Sequence, residues 1–499
     1  MAEHATEREA KFDVADDFQK SQLGRVTEAS TVKLVAHYWD TPDHLLLRWG
    51  HTLRHRQASD RSEDGWTLKL GAPPEPSGGT GAVLDREEIN EPGPPDAPPA
   101  GLSALIVGIV RAASVRPIAT IETLRDVELL ATDGASSGSV EVSDDRVASV
   151  VEGKPGPTFR QIEIEMQGAG SEELLAEVSE RLIRAGAIPT SATKLEKVLG
   201  HRPEPEIVVP ALRRGSQLDV LTRYAFARSV VALMRHDPKI RGSRDPETVH
   251  DARVATRRLR SDLKTLEPIL GPVERFREEL RWLGELLGGV RDLDVLIERL
   301  GARARELPDR DRRSMAPILA ALRNDRRRRR LRLLDGLRSE RYLNLLDDLI
   351  EASRRLPLQR PSDAQRRARP VLRTVIRKAW RRTTRAVERL GEAPPDAALH
   401  EIRKRAKRAR YAAELGRDVF GKPAGRFAGR LADVQEGLGE LQDTVVAEER
   451  LRSLRLPSES VFVAGMLVCR ERDERVEARD RWPRLWETAR KKRLRRWLA

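Results

Sequence analysis

The first 200 residues alternate between apolar and polar positions over short segments, and this period of two predicts β-strands. Clusters of Gly, Pro, Asp or Ser separate the segments, as is typical of antiparallel strands joined by turns. The segments are KLVAHYWDTP, LLLRWGHTLRHR, GWTLKLG, AVLDREEINE, GSVEVSDDRVASVVE and FRQIEIEM. Two stretches, 102–113 and 171–186, have helical spacing instead. The pattern therefore predicts an antiparallel sheet or barrel with few helices.

The pattern changes after GHRPEPEIVVPALRRG (200–215), which has the composition of a linker. Strand signals stop there, and long heptad-like helices follow to the C-terminus. VHDARVATRRLRSDL (249–263) aligns with LHEIRKRAKRARYAA (399–413) at an offset of 150. LGGVRDLDV (287–295) aligns with LGELQDTVV (438–446) at an offset of 151. Two copies of a helical unit predict a pseudo-symmetric pair of antiparallel bundles.

The charge of the chain follows the same division. The net charge of +14 is the sum of −12 over residues 1–200 and +26 over residues 201–499. We therefore expect three regions, a strand-rich domain over 1–199, a linker over 200–216 and a helical domain over 217–499. The charge difference predicts different partners for the two domains, with a polyanion for the second.

Composition excludes several classes of protein. No apolar run approaches the roughly 20 residues that span a bilayer, and the N-terminus lacks the basic-then-apolar order of a secretory signal. Cys469 is the only cysteine, which excludes an intrachain disulfide and a cysteine-based zinc site. We expect a soluble cytoplasmic protein.

Several predicted strands place charged residues of both signs at alternate positions, so that one face of each strand is ionic. Carboxylates in this arrangement are hard oxygen ligands suited to Mg²⁺ or Mn²⁺, and Arg and Lys facing them suit phosphate oxygens. The alternative is an exposed sheet with charged outer faces. We favour a polar cavity that binds a metal–polyphosphate chain, because it accounts for the whole set. The set is Glu7, Glu9, Lys11, Arg54, Arg56, Lys69, Arg86, Glu88, Glu163 and Glu165, and Arg125 and Lys194 add further cations at possible ends of strands or loops.

The ordered series Glu7-x-Glu9-x-Lys11, YWDTPDHLLLRWGHTLRHR, LKL, REEI, VEVSDD and IEIEM resembles the CYTH, or triphosphate tunnel metalloenzyme, family across about residues 5–198. The resemblance implies an eight-stranded antiparallel tunnel that binds triphosphate-containing substrates with a divalent metal. It implies metal-binding roles for Glu7, Glu9, Glu88, Glu163 and Glu165. It implies catalytic, phosphate-contacting roles for Lys11, Arg54, Arg56, Lys69, Arg86, Arg125 and Lys194. RPIATIETLRDV has fewer arginines than the family pattern, so Arg116 is an alternative to Arg125.

Each helical repeat has an apolar seam with a basic stripe one residue after it. The seams are Val249, Ala252, Thr256, Leu259 and Leu263, and Leu399, Ile402, Ala406, Ala409 and Ala413. The stripes are His250, Arg253, Arg257 and Arg260, and His400, Arg403, Lys407 and Arg410. Each stripe spans about 80° of arc beside its seam, which predicts cations in a groove between helices. Another basic segment, 373–382, adds Arg377 and Lys378.

Three interpretations of the stripes compete. Solvated helix faces are disfavoured by the matching spacing in both copies. Nucleic-acid binding usually adds aromatic platforms for bases, and no aromatic residue interrupts the stripes, so we favour a polyanion without bases. The repeat resembles the CHAD (conserved histidine α-helical) domain across about 217–499, which implies two helical bundles around a basic pore and inorganic polyphosphate as ligand.

Together these patterns predict an α+β protein, with an N-terminal antiparallel eight-stranded β tunnel and a C-terminal all-α domain of two pseudo-symmetric helical bundles. The predicted function is metal-dependent hydrolysis of inorganic triphosphate or polyphosphate, with polyphosphate bound by the helical domain. The alternatives are a thiamine triphosphatase, a class IV-type adenylate cyclase, a non-catalytic scaffold of polyphosphate granules and a nucleic-acid-binding protein. The predicted location is the cytoplasm, with polyphosphate granules as a further possibility.

Overall fold

The computed structural model of the chain describes residues 3–20, 23–71, 84–131, 138–168 and 172–499, with the side chains of residues 3–7 and 84–86 outside the description. Contacts between residues divide the chain into two compact units, Met1–Glu206 with Asp237–Gly242 and Ile207–His236 with Ser243–Ala499. The first unit contains the strands. None of the described helices is long and apolar enough to cross a membrane.

Ten strands are described in the first unit, and they belong to one antiparallel sheet. They are β1 Glu3–Val14, β2 Arg25–Asp40, β3 Thr52–Ala58, β4 Gly65–Leu70, β5 Leu84–Glu91, β6 Arg116–Ala131, β7 Ser139–Val151, β8 Lys154–Pro155, β9 Phe159–Gln167 and β10 Ile188–Thr190. The pairing order is β10-β1-β5-β4-β3-β2-β6-β7-β8, and β9 pairs with both β1 and β7. Eight strands thus follow one another in a ring of backbone pairs, with β8 and β10 beside it.

The predicted fold class, an antiparallel sheet followed by a helical region, is confirmed. The number of strands differs, since ten are described where eight were predicted. The two additional strands, β8 and β10, have two and three residues. Segments of that length are too short to show a period of two in the sequence.

Four helices accompany the sheet, α1 Leu45–Arg48, α2 Ala100–Val110, α3 Glu172–Arg184 and α4 Lys194–Leu199. Phe12 of β1 and Ile162 and Ile164 of β9 belong to one buried cluster with Leu175 and Val178 of α3. Because successive side chains of a strand point to opposite faces, the charged residues between these apolar ones point to the other face of the sheet. The amphipathic helix α3 therefore determines which face of β1 and β9 is the ionic one.

The second unit consists of helices, the first of which ends in the segment Asp237–Gly242 that is assigned to the first unit. They are α5 Leu218–Gly242, α6 Pro246–Leu266, α7 Glu274–Glu306, α8 Asp309–Arg312, α9 Met315–Arg338, α10 Glu340–Arg354, α11 Ala368–Val387, α12 Asp396–Leu415, α13 Arg417–Phe420, α14 Lys422–Ser453 and α15 Ser458–Ala489, with 3-10 helices at Pro361–Asp363 and Lys492–Leu498. In the first repeat α6 packs on α7 and α7 on α9, and in the second α12 packs on α14 and α14 on α15. The packing order thus repeats along with the sequence.

The apolar seams predicted for the two repeats are confirmed, because all ten positions are buried. A Pro follows the N-cap of α6, where Asp245 accepts a hydrogen bond of 2.9 Å from the backbone N–H of Glu247. This cap fixes where α6 begins.

Candidate functional site

A cavity of about 350 Å³ lies on the ionic face of the sheet. Its lining includes ten of the residues predicted from the sequence, Glu9, Lys11, Arg54, Arg56, Lys69, Glu88, Arg125, Glu163, Glu165 and Lys194. The remaining two, Glu7 and Arg86, are register partners on β1 and β5, and their side chains lie outside the described residues. Residues from six strands and one helix are thus brought to one space, while their individual roles stay predictions.

Lys11 links two of the predicted metal-binding carboxylates. Its Nζ lies 3.0 Å from Oε2 of Glu9 and 2.8 Å from Oε1 of Glu163. The Nζ of Lys194 lies 2.8 Å from the other oxygen of Glu163. Burial by itself would raise the pKa of Glu163, but the charges of Lys11, Lys194 and Arg125 hold that pKa well below its ordinary value. Glu163 is therefore an ionised carboxylate shared among cations.

Asp145 of β7 is a further carboxylate, one that the sequence analysis missed, and it is fully buried. Arg125 donates to it from Nε and from Nη2, both at 2.8 Å, and the Nζ of Lys194 lies 2.8 Å from its Oδ2. Burial would raise the pKa of Asp145, but the charges of Lys194 and Arg125 lower it. The forked contact fixes the plane of the Arg125 guanidinium. Asp145 thus orients two of the predicted phosphate-contacting cations.

A second ion pair lies on β4 and β5, where Lys69 and Glu88 are register partners. Nζ of Lys69 is 3.0 Å from Oε2 of Glu88, and Asn90 donates to the same carboxylate at 3.2 Å. Burial opposes ionisation of Glu88, but the charges of Lys69 and Arg54 lower its pKa to about 2. Glu88 is consequently ionised across the physiological pH range.

Tyr38 lies beside the two arginines of β3. It is the register partner of Arg54, and Nη1 of Arg54 donates to its hydroxyl at 3.4 Å. Burial would raise the pKa of Tyr38, but the charges of Arg54 and Arg56 lower it to about 8. Burial lowers the pKa of Arg56 to about 9, and the charges of Arg54 and Arg125 add to that effect. The lowered pKa of Tyr38 reflects the positive charge of the two arginines beside it, and a bound anion would interact favourably with that charge.

Some positions differ from those expected from the sequence. Lys194 was expected at the end of a strand or in a loop, and it is the first residue of α4, whose N-cap Thr193 also lines the cavity. Arg116, the alternative to Arg125, lines a different cavity together with His44 and does not line this one. The start of α4 therefore places Lys194 beside the carboxylates. Of the two arginines, Arg125 lines this cavity and forms ion pairs with Asp145 and Glu163.

Seven residues of this site were not predicted from the sequence, Tyr38, Thr52, Glu63, Glu141, Ser143, Asp145 and Thr193. Glu141, Ser143 and Asp145 alternate on β7, so their period of two was a signal in the sequence. Tyr38 lies between His37 and Trp39 in a strand without ionic alternation, and Glu63 lies in a loop. For these two, no sequence pattern indicated the site.

The chemistry of the carboxylates suits a hard divalent cation. Glu165 is the register partner of Glu9 on one side and of Glu141 on the other, so three carboxylates form one row across β1, β9 and β7. Within the ranges that the structure describes, no three His, Cys, Asp or Glu side chains form a group that could hold a metal ion. The donor set fits Mg²⁺ or Mn²⁺ in ligand type, and Glu7 is not among the described side chains.

In the helical unit α6 contacts α12, and the two basic stripes meet there. We call Arg253, Arg257, Arg403, Lys407 and Arg410 the basic cluster. Burial and the charges of the four arginines lower the pKa of Lys407 from 10.5 to about 6. Burial and neighbouring arginines also lower the pKa of Arg257. The cluster is therefore a region of repelling positive charge.

Carboxylates accompany only part of the basic cluster. Arg253 pairs with Asp292 at 2.9 Å and Arg410 with Glu414 at 3.5 Å. Among the residues that the structure describes, the other three members have no carboxylate oxygen within 4.0 Å. Carboxylates of the protein therefore neutralise little of the positive charge in the cluster. A bound polyanion would neutralise it.

A cavity of about 300 Å³ adjoins the cluster. Arg257, Arg260 and Lys407 of the predicted residues line it, together with Ser261, Lys264, Arg277, Arg281, Lys404, Arg408 and Tyr411. Tyr411 corrects the expectation that this surface lacks aromatic residues. Its ring is covered by cations, with Arg410 at 4.7 Å, Arg258 at 5.7 Å and Lys407 at 6.0 Å from the centroid. The ring therefore already packs against guanidinium and ammonium groups.

Two glycines allow the stripes to approach the neighbouring helices. A Cβ built on Gly288 would lie 3.5 Å from Nε of Arg253, and one built on Gly439 would lie 3.5 Å from Nε of Arg403. Gly288 and Gly439 are equivalent positions in the sequence repeat. A longer side chain at either position would displace the arginine. Both copies of the repeat therefore contain the arginine and also the glycine that leaves room for it.

The remaining predicted residues of the helical domain are dispersed. His400 is half-buried beside Lys404 and Arg403, and burial with their charges lowers its pKa. His250 occupies the equivalent place at the start of the α6 stripe. Arg377 donates to the backbone carbonyl of Leu498, and Lys378 lines a separate cavity of about 210 Å³ on α11. The last two residues lie outside the lining of the larger basic cavity.

The chain matches two family models, the CYTH domain over residues 5–197 and the CHAD domain over residues 224–452. Two uncharacterized proteins of Mycobacterium tuberculosis, one from strain H37Rv and one from strain CDC 1551, are each 32% identical to it over 94% of this chain and 93% of theirs.

Solved structures also resemble parts of the chain. PptA from Streptomyces chartreusis is 22% identical over 54% of this chain and 98% of its own, with a TM-score of 0.46. The CHAD domain of the plant Ricinus communis is 23% identical over 58% of this chain and 95% of its own, with a TM-score of 0.43. A Hippeastrum protein described as having a dominant triphosphatase activity is 16% identical over 39% of this chain and 95% of its own, with a TM-score of 0.26.

Proposed function

Because the chain belongs to the proteins that join an N-terminal CYTH domain to a C-terminal CHAD domain, we propose that it is a divalent-metal-dependent hydrolase of inorganic triphosphate or polyphosphate. We further propose that its helical domain binds long-chain polyphosphate. The proposed division is a tunnel domain over 1–199, a linker over 200–216 and a polyphosphate-binding domain over 217–499.

The observation that carries the first proposal is the convergence of six lysines and arginines on one cavity of about 350 Å³. A phosphoanhydride chain carries several negative charges along a flexible backbone, so its binding requires cations distributed around the chain. Arg54, Arg56 and Arg125 supply forked donors that match phosphate oxygens, and Lys11 and Lys194 supply point charges. The lowered pKa of Tyr38 supports a local concentration of positive charge around Arg54 and Arg56.

The residues of the chain bind and orient the substrate in this proposal. Asp145 holds Arg125 in one orientation, and Glu163 holds Lys11 and Lys194 close together. Such preorganised charges need no rearrangement when charge develops on the transferring phosphoryl group. Glu9, Glu163 and Glu165, with Glu7 and Glu88, would hold a Mg²⁺ or Mn²⁺ ion, which when bound supplies charge neutralisation at phosphate oxygens.

The second proposal rests on the basic cluster. The cluster brings together five cations from two helices, and three of them lack a carboxylate partner among the described residues. Two of the five, Arg257 and Lys407, line the cavity of about 300 Å³. A base-free polyanion satisfies this arrangement because it needs only charge and hydrogen-bond donors. The cations stacked on Tyr411 occupy the one aromatic face that lines the cavity in the described part of the chain.

The test is a phosphate-release panel with the full-length protein and either Mg²⁺ or Mn²⁺. The substrates are tripolyphosphate, long-chain polyphosphate, thiamine triphosphate and ATP, with cyclic AMP scored in parallel. Phosphate released from tripolyphosphate supports the proposal. A strict preference for thiamine triphosphate or formation of cyclic AMP would replace it with the corresponding enzyme, and absence of turnover combined with polyphosphate binding would indicate a scaffold.

A further inference from the structure

The loop that joins β3 to β4, residues 59–64, presents three carboxylates in the sequence SDRSED. Two of them hold the loop itself. Asp60 accepts hydrogen bonds from the backbone N–H and the hydroxyl of Ser62 at 3.0 and 2.6 Å. Asp64 accepts one of 2.7 Å from the backbone N–H of Ala58. The third, Glu63, takes no part in these loop contacts, and its side chain lines the cavity of the tunnel domain.

Glu63 contacts two of the predicted phosphate-binding cations. It forms an ion pair with Arg56, and its Oε1 lies 3.7 Å from Nη1 of Arg125. Within the described part of the chain, Glu63 is the carboxylate that pairs with Arg56. Arg125 has two further carboxylate partners, Asp145 and Glu163. Removal of Glu63 would therefore leave Arg125 in place and release mainly Arg56.

We propose that Glu63 determines the selectivity of this cavity by occupying, in the free protein, the position of one phosphate group between Arg56 and Arg125. The inference rests on the function proposed above. A substrate phosphate and the Glu63 carboxylate compete for the same donors, so binding of a phosphoanhydride chain displaces Glu63. The side chain is 36% exposed, which gives it room to withdraw toward solvent.

This competition acts unequally on chains and on single phosphates. A triphosphate engages several cations of the cavity at once, so it retains its other contacts while one of its phosphate groups displaces the carboxylate. Orthophosphate has no such additional contacts, so nothing offsets the free energy required to displace the Glu63 carboxylate. Glu63 therefore weakens the binding of the hydrolysis product more than that of the substrate, and it returns to Arg56 as the product leaves.

The experiment uses the full-length protein with Mg²⁺ and compares wild type, Glu63→Gln and Glu63→Asp. Asp96→Asn is the matched control, because Asp96 is an exposed carboxylate in the loop after β5 and lines none of the described cavities discussed above. The readouts are KM for tripolyphosphate and the inhibition constant of orthophosphate. Only the tunnel domain is proposed to hydrolyse, so these constants are insensitive to binding by the helical domain.

Loss of the competing charge in Glu63→Gln is expected to lower KM for tripolyphosphate by about tenfold, the scale of one charged hydrogen bond. The inhibition constant of orthophosphate should fall by a larger factor. Glu63→Asp, whose shorter side chain keeps the charge but reaches less far, should give intermediate values, and Asp96→Asn should match wild type. Thermal unfolding of each variant shows whether the loop has kept the fold.

The outcomes separate the two proposals. If wild type hydrolyses tripolyphosphate and Glu63→Gln changes neither constant, the role of Glu63 is refuted and the proposed function stands. An equal change in Glu63→Gln and Asp96→Asn would also refute it, because general charge would then be the cause. If wild type releases no phosphate from any substrate, the proposed hydrolase function fails, and the role of Glu63, which rests on it, fails with it.

Discussion

Arg253 donates a hydrogen bond of 2.9 Å from Nη2 to Oδ1 of Asp292. Asp443 occupies the equivalent position in the second repeat. Burial raises the pKa of Asp443, the charge of Arg403 lowers it, and the charge of Asp292 raises it again. The two aspartates therefore lie close enough to repel each other at one end of the basic cluster. The positive charge at that end of the cluster is partly neutralised, whereas the charge of Arg257 and Lys407 is not.

This arrangement predicts that Asp292→Asn strengthens polyphosphate binding several-fold, because it removes a negative charge and releases Arg253. Asp292 is largely exposed, so the effect stays within the range of a surface ion pair. Fluorescence polarisation with labelled long-chain polyphosphate measures it. Asp309→Asn, at an exposed aspartate of α8, is the control. Weaker binding of Asp292→Asn than of the control variant would show that the Arg253–Asp292 pair positions the arginine for the ligand.

Glu9→Gln should reduce the rate of tripolyphosphate hydrolysis by about 10²-fold, the scale on which a preorganised electrostatic element acts. Lys11 keeps its contact of 2.8 Å with Glu163 in this variant, so the melting temperature should change little. The measurement is the rate over a range of Mg²⁺ concentrations. The control Glu28→Gln removes an exposed glutamate of β2. A wild-type rate for Glu9→Gln would remove this residue from the metal-binding set.

Arg56→Ala should raise KM for tripolyphosphate at least tenfold, because it removes a buried forked donor. Arg56→Lys should restore only part of the affinity, since an ammonium group lacks the planar fork. Arg146→Ala, at a half-exposed arginine of β7 that pairs with Asp126, controls for loss of charge from the sheet. Complete recovery by lysine would show that charge alone decides binding at this position.

Lys407 should make polyphosphate binding dependent on pH. Its pKa is about 6 in the folded protein and 10.5 as the ordinary value, so between these pH values the unfolded chain binds more protons than the folded one. The contribution of Lys407 to stability therefore rises as pH increases through this window, and its destabilising effect is complete below about pH 6.

A bound polyanion reverses this shift, so wild type should take up a proton on binding polyphosphate near pH 7.5. Calorimetry in two buffers of different ionisation enthalpy measures the uptake. Lys407→Met should abolish it, and Lys422→Met, at an exposed lysine that begins α14, should not. Equal binding enthalpies in both buffers for wild type would contradict a neutral Lys407 in the free protein.

Reversal of Arg257 and Lys407 to Glu in the full-length protein should abolish polyphosphate binding and leave tripolyphosphate hydrolysis largely unchanged. The matched control reverses Arg310 and Arg313, which are exposed. Wild-type binding should weaken steeply with salt, because each neutralised phosphate releases condensed counterion. Nucleic acid should compete weakly at equal phosphate concentration. If it displaces polyphosphate, the basic cluster is a nucleic-acid site.

The antiparallel sheet, the helical repeat and the two apolar seams were predictable from the sequence because each is set by local periodicity. The alternation of Lys11 with Phe12, and of Glu163 with Ile164, already separates an ionic face from an apolar one. The offset between the two repeats likewise identified equivalent arginines. These features depend on neighbours in the chain, so the order of residues alone determines them.

Which further residues join the predicted ones in each site depends on contacts between distant parts of the chain, and only the tertiary structure decided it. Asp145 became part of the site because β7 pairs with β6 and places it opposite Arg125, and Glu63 because one loop turns toward the cavity. Tyr411 joined the basic cavity through the contact between α6 and α12. The same burial and close approach of charges produce the pKa values of Tyr38 and Lys407, since the cost of a charge depends on its solvation and on its neighbours in space.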